Sequence, residues 1–158
     1  LKTTGMDEED AGRLVMDMAE QSDGAMDWEG LAAPIPGTHE MLGRLQDRGF
    51  KLAVVTADSS VRARISLTAL QLIDYFAVVV GADCVQNSKP APDMALLACR
   101  ELGIESGLAV VVGDTPRDIV MAREAGSAGI GVLSGVCTRE QLTGATADVV
   151  INSVAELE

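Results

Sequence analysis

Val110-Val111-Val112-Gly113-Asp114-Thr115-Pro116-Arg117-Asp118 is an apolar run that stops at a glycine and then sets two carboxylates four residues apart. The run reads as a buried strand, and in an open α/β sheet the residues just past a strand's carboxyl end form the ligand-facing rim. A pair of carboxylates there suits Mg²⁺, which takes oxygen ligands and keeps waters and phosphate oxygens in the rest of its shell. Asp114 and Asp118 are therefore candidate metal ligands. A structural role competes with this one: Asp114 or Thr115 would cap the next helix, with Pro116 at its first position. The neighbouring sequence has to decide.

Working outward, strands and helices alternate. Gly37 to Arg48 has helical spacing, with Met41, Leu42 and Leu45 on one face and Gly49 at its end, and Leu52 to Val55 reads as a β-branched strand. Ser59 to Leu72 is helical and Phe76 to Val80 a strand; Ala91 to Leu102 is helical and Ala109 to Val112 a strand. Asp118 to Ala125 reads as helix, Gly129 to Leu133 as strand, Thr138 to Leu142 as a short helix and Asp148 to Ile151 as the last strand. Continuous apolar strands separated by helices imply an α/β domain whose parallel sheet is covered by helices on both faces. Upstream, Asp7 to Gln21 places Ala11, Leu14, Val15, Met18 and Ala19 with the spacing of an amphipathic helix. Gln21 to Pro36, around the single Trp28, reads as a linker.

Composition narrows the function. The chain has 158 residues, 47% of them hydrophobic and 23% charged, and only 3% aromatic, so its core is built from Ala, Val, Leu, Ile and Met. A net charge of -12 argues against a nucleic-acid backbone or an anionic membrane as partner, and an anionic substrate would need a local cation. No run is long enough for a membrane span, and the first residues lack a basic region followed by an apolar one, so export is not expected. Cys84, Cys99 and Cys137 are odd in number and widely spaced, which favours reduced thiols and a cytoplasmic location. The chain begins at Leu1 rather than at an initiator methionine, as a truncated or processed product would.

Each expected strand end carries chemistry. After Val55 come Thr56 and Ala57, and a threonine hydroxyl with the N–H groups of the following helix start would bind a phosphoryl group; strand-end capping is the structural alternative. After Val80 a loop runs to Lys89, in Asn-Ser-Lys-Pro-Ala-Pro-Asp, where two prolines stiffen the backbone around a cation that would otherwise be a solvated lysine.

Together these segments resemble the haloacid dehalogenase superfamily of phosphohydrolases, and within it the subgroup of phosphoglycolate phosphatase and β-phosphoglucomutase. The likeness runs through Pro-Ile-Pro-Gly at Pro34 to Gly37, Val-Val-Thr at Val54 to Thr56, Lys-Pro-Ala-Pro-Asp at Lys89 to Asp93 and Gly-Asp-Thr-Pro-Arg-Asp at Gly113 to Asp118. It continues in Ala-Arg-Glu-Ala-Gly at Ala122 to Gly126, Gly-Val-Leu-Ser-Gly at Gly131 to Gly135 and Ala-Asp-Val-Val-Ile at Ala147 to Ile151. The resemblance implies a Rossmann-like core over residues 34–158 and a remnant of a helical cap with its linker over residues 1–33. It implies a Mg²⁺-dependent phosphatase of small phosphorylated metabolites, acting through an aspartyl phosphate. Thr56, Ala57 and Lys89 would bind the phosphate, with Thr56 and Lys89 in catalytic roles, and Asp114 and Asp118 would hold the metal.

One part of the family pattern is missing. The nucleophile motif, an apolar strand running into Asp-x-Asp-Gly-Thr, does not occur, and no Asp-x-Asp stands anywhere in the chain. Reading Thr56 and Asp58 as its degraded form is disfavoured, because the upstream Pro-Ile-Pro-Gly and the distance to Lys89 fit the second motif. The family's nucleophile strand lies centrally, between the strands ending at Thr56 and Gly113. Those two are expected to pair directly, or to receive a strand from a second chain in a homo-oligomer. Shortening of the gene product, a fragment of a longer chain, and a diverged pseudoenzyme that keeps only phosphate or metal binding or an assembly role all remain open. A flavodoxin-like response regulator would need its carboxylates after the first strand, and Mg²⁺-free dehalogenase chemistry would not need the Asp114 and Asp118 pair.

Overall fold

The computed structural model describes residues 34–157. The expected helix from Asp7 to Gln21, the linker around Trp28 and the cap remnant over residues 1–33 lie outside them.

Helix α1 (Thr38–Asp47) starts at Gly37, whose φ of 83° is one that a side chain resists, and it buries Met41 and Leu42. Strand β1 (Ala53–Val55) leads to α2 (Ser60–Ala69), where the Ser59 hydroxyl accepts the Arg62 N–H. The helix is shorter than the periodicity predicts. Gln71, at φ 57°, turns the chain, its N–H donating to the Thr68 carbonyl while the Leu72 N–H donates to that of Leu67, a Schellman ending without glycine. Strand β2 (Val78–Val80) is also shorter than expected, because a 3₁₀ turn over Ile73–Tyr75 leads into it. Helix α3 (Asp93–Leu102) ends at Gly103, and the Lys51 ammonium caps it by donating to the Leu102 carbonyl at 2.7 Å.

Strand β3 (Val110–Gly113) is followed by α4 (Pro116–Glu124), which begins two residues before the predicted Asp118 because Thr115 is its N-cap and Pro116 its first residue. Strand β4 (Ala128–Val132), helix α5 (Arg139–Gly144) and strand β5 (Val149–Ile151) complete the order.

All pairings are parallel, with Val55 opposite Val80, Val112 opposite Ile130, and Ile130 opposite Val149. This is the expected α/β arrangement, without the direct pairing of β1 and β3 that is one of the two expectations for them. β1 and β3 do not pair: the strands form a two-stranded sheet, β1-β2, and a three-stranded sheet, β3-β4-β5. The physical reason is helix placement. One apolar cluster contains Val80 of β2, Met94, Ala95 and Ala98 of α3, and Met121 and Ala125 of α4, with Val55 and Val111 against it. Helices α3 and α4 thus pack the two sheets onto a common core, and among the described residues β1 and β3 do not pair with each other. Met94, Ile119, Met121 and Leu142 are the largest fully buried side chains among the described residues, in line with an aromatic-poor interior. Val110 and Val112 of β3 are exposed.

None of Cys84, Cys99 and Cys137 is in a disulfide. Among the described residues no helix is long and apolar enough to cross a membrane.

Candidate active site

The site is assembled at the carboxyl ends of β1 and β3. Lys89 reaches there from the loop after β2. Its Nζ donates to the Val55 carbonyl at 3.0 Å and pairs with Asp118 Oδ1 at 2.7 Å. Both side chains are largely enclosed, Lys89 14% and Asp118 8% exposed, so this pair is far from the solvated lysine that the sequence also allowed. Lys89 thereby bridges the end of one sheet and the helix that follows the other.

The cap that the sequence offered to Asp114 or Thr115 falls to Thr115, with Asp118 as its reciprocal partner. Asp118 Oδ1 takes the Lys89 ammonium, while its Oδ2 accepts the Thr115 N–H at 3.1 Å and the Thr115 hydroxyl at 2.6 Å. It is therefore both the site's counter-charge and the reciprocal half of α4's N-terminal cap. Gly113 makes room for it: a Cβ there would meet the Asp118 Cβ at 2.3 Å.

Asp114 follows β3 directly and makes no hydrogen bond to Lys89 or Asp118 among the described residues. Its Oδ2 accepts only a long contact of 3.4 Å from the Val136 N–H, and Gly135 passes so close that a Cβ there would lie 2.0 Å from Oδ2 and 2.3 Å from the Asp114 Cβ. The loop after β4 thus fits over this carboxylate only because residue 135 is glycine. Mg²⁺ needs just one or two carboxylates when phosphate oxygens and waters complete its octahedron. Asp114, with Asp118 four residues on, supplies an oxygen donor set of that kind. Among the described residues no cluster of three or more His, Cys, Asp or Glu side chains offers a fuller cage.

At the end of β1, Thr56 N–H continues the ladder to the Val80 carbonyl and its Oγ1 accepts the Asp58 N–H at 3.2 Å, leaving its proton to donate. The anion-binding surface expected at the start of α2 is narrower than the sequence implied. The Ser59 N–H donates to Asp58 Oδ1 at 2.8 Å and the Ser60 N–H to Asp83 Oδ1 at 2.7 Å, so side chains of the protein itself occupy those donors. The Ala57 N–H is the loop donor without a partner among the described residues. Asp83, which sequence reasoning missed, also accepts the Ser60 hydroxyl at 2.9 Å. The Ser60 N–H, the largest influence, holds its carboxyl below the usual carboxylate range against the opposing effect of burial. Its only sequence signal is the neighbouring Gly81, whose absent side chain lets Ser60 and Asp83 meet.

Arg117 was also missed. Its Nε donates to the Lys89 carbonyl at 3.0 Å and its Nη2 donates to the same oxygen.

Residues 6–132 match the haloacid dehalogenase-like hydrolase family. The chain is 41% identical over 122 residues to the protein named probable phosphatase IndB of Dickeya dadantii (strain 3937), covering 77% of this chain and 53% of that one. It is 36% identical over 122 residues to the phosphoglycolate phosphatase of Escherichia coli (strain K12), covering 77% and 48%. Among solved structures, CbbY from Rhodobacter sphaeroides in complex with phosphate superimposes with a TM-score of 0.72 at 29% identity, over 94% of this chain and 62% of that one. The chain spans about half the length of the curated relatives it matches.

Proposed function

This chain belongs to the haloacid dehalogenase-like hydrolases, in the subgroup of phosphoglycolate phosphatase and β-phosphoglucomutase, and on that premise we propose that its rim serves Mg²⁺-dependent hydrolysis of a small phosphorylated metabolite. The observation that carries this reading is Lys89, an enclosed cation in a chain of net charge -12, held between the Val55 carbonyl and Asp118. In a weakly solvated rim a fixed ammonium stabilises phosphoryl charge more strongly than a solvated one. The Thr56 hydroxyl and the Ala57 N–H stand at the neighbouring strand end and would donate to the remaining phosphoryl oxygens. Thr56 and Lys89 would then steady the group through transfer, the catalytic part that this rim supplies. Asp114 and Asp118 would hold Mg²⁺, whose contribution when bound is to neutralise charge on the phosphoryl oxygens.

The attacking carboxylate is the part these residues do not supply, since the chain contains no Asp-x-Asp. The second reading to be tested beside it is that the chain by itself binds phosphate and metal without turnover. Among the described residues β1 and β3 each have one strand neighbour at most on their own sheet, β2 and β4, and the other edges suit a strand from a second copy of the chain. The unbonded cysteines suit a reducing, cytoplasmic setting.

Calorimetry with orthophosphate and Mg²⁺, beside hydrolysis of p-nitrophenyl phosphate by the same preparation, tests both readings. Binding with turnover supports the phosphatase, binding alone supports the second reading, and absence of both sinks the proposed site.

A further inference from the structure

We propose that Arg117 is a positioning residue that fixes the backbone of Lys89, so that the lysine ammonium is presented at the phosphate rim in one place. The proposal rests on the phosphate-binding role of Lys89 given above.

Lys89 is held at both ends by consecutive residues of one helix turn. At its tip, Nζ meets Asp118 Oδ1 at 2.7 Å and the Val55 carbonyl at 3.0 Å. At its root, the Lys89 carbonyl accepts both the Nε–H and the Nη2–H of Arg117. The loop that carries Lys89 is braced within itself, by Asn87 Nδ2 donating to Asp93 Oδ1 at 3.0 Å and by the Ala91 N–H donating to the Ser88 carbonyl at 3.2 Å. Neither of these bonds ties the loop to the rim.

The Arg117 fork does so through the backbone. Without it a flexible four-carbon side chain is anchored only at its charged end, and the loop can shift beneath it. Arg117 itself is exposed, so its removal opens no cavity in the core. Its chemistry also singles out arginine. A guanidinium presents two parallel donors to one carbonyl oxygen, and a lysine would present a single mobile ammonium.

The test compares the full chain with Arg117→Ala and Arg117→Lys by two readouts. The first is the rate of acetylation of Lys89 by an N-hydroxysuccinimide ester, followed by mass spectrometry, relative to Lys51. Lys51 is the internal reference because its Nζ is tied elsewhere, to the Leu102 carbonyl. The second is orthophosphate affinity in the presence of Mg²⁺. Loss of a charge-assisted fork predicts that Arg117→Ala raises the Lys89 to Lys51 ratio by about tenfold and weakens orthophosphate by about tenfold, with Arg117→Lys between the two.

An unchanged ratio in both variants overturns the proposal, as does a rise of Lys89 and Lys51 together, which would report general loosening. If the parent chain binds no orthophosphate while the ratio still rises, the hold on Lys89 stands and the phosphate reading of the site falls.

Discussion

Lys89→Met replaces the enclosed ammonium by an apolar side chain of similar length and leaves Asp118 without its counter-charge. The pair is close, at 2.7 Å, with the two side chains 14% and 8% exposed. At an effective dielectric near 20 the bare attraction is about 6 kcal/mol, but most of it offsets the desolvation of two charges, so the attraction is not the loss to expect. The loss comes from stranding a carboxylate, which for a buried pair costs about 3–5 kcal/mol. Asp118 retains the Thr115 N–H and hydroxyl on Oδ2, which places the effect at the lower end. We expect about 3 kcal/mol, which at roughly 4 °C per kcal/mol for a domain of this size lowers Tm by about 12 °C. Thermal unfolding followed by circular dichroism measures this. The double variant Lys89→Met with Asp118→Asn removes the stranded charge as well and should recover about half of the loss. A fall below about 3 °C in the single variant, or a double variant no more stable than Lys89→Met, would refute the reasoning that an enclosed pair, rather than packing alone, ties Lys89 to α4.

Two further variants test neighbouring parts of the rim. Asp83→Ala removes the carboxylate that caps α2 through Ser60 and should cost about 1 kcal/mol near neutral pH in urea unfolding. Because the folded-state carboxyl is held below its ordinary 3.8, its contribution is present above that value and is lost as pH falls through the lower folded value. The gap between parent and variant should therefore narrow only in strong acid, and a gap that closes at neutral pH would contradict it. Gly135→Ala places a methyl where Asp114 stands, so Mg²⁺ affinity by calorimetry should weaken by about tenfold while α4 and its cap are untouched; unchanged affinity would remove Asp114 from the metal site.

Much of this was legible along the chain. The alternation of apolar strands and helices, the loop positions of Thr56 and Lys89, and the carboxylate pair after Val112 depend on local pattern, and local pattern is what a sequence displays. Element ends were less legible because they depend on single hydrogen bonds. Gln71 ends α2 in a left-handed conformation more usual for glycine, and Thr115 starts α4 earlier than hydrophobic spacing suggests. The roles of Asp83 and Arg117 were scarcely legible, since Asp83 meets Ser60 across a turn and Arg117 meets a carbonyl in the loop of another strand. The sequence poses metal binding and helix capping as alternatives at this motif; in the folded chain Thr115 takes the cap with Asp118, which also meets the lysine, while Asp114 lies against Gly135.

By itself, then, the sequence determined the family, the order of elements and the residue types on the rim, because periodicity and short motifs are encoded between near neighbours. Tertiary structure alone decided that β1 and β3 stay apart, that α3 and α4 join the two sheets through one core, and that Lys89 spans from Val55 to Asp118. These outcomes depend on contacts between residues distant in sequence, where packing, charge burial and strand-edge pairing compete, and no local pattern records which of them prevails.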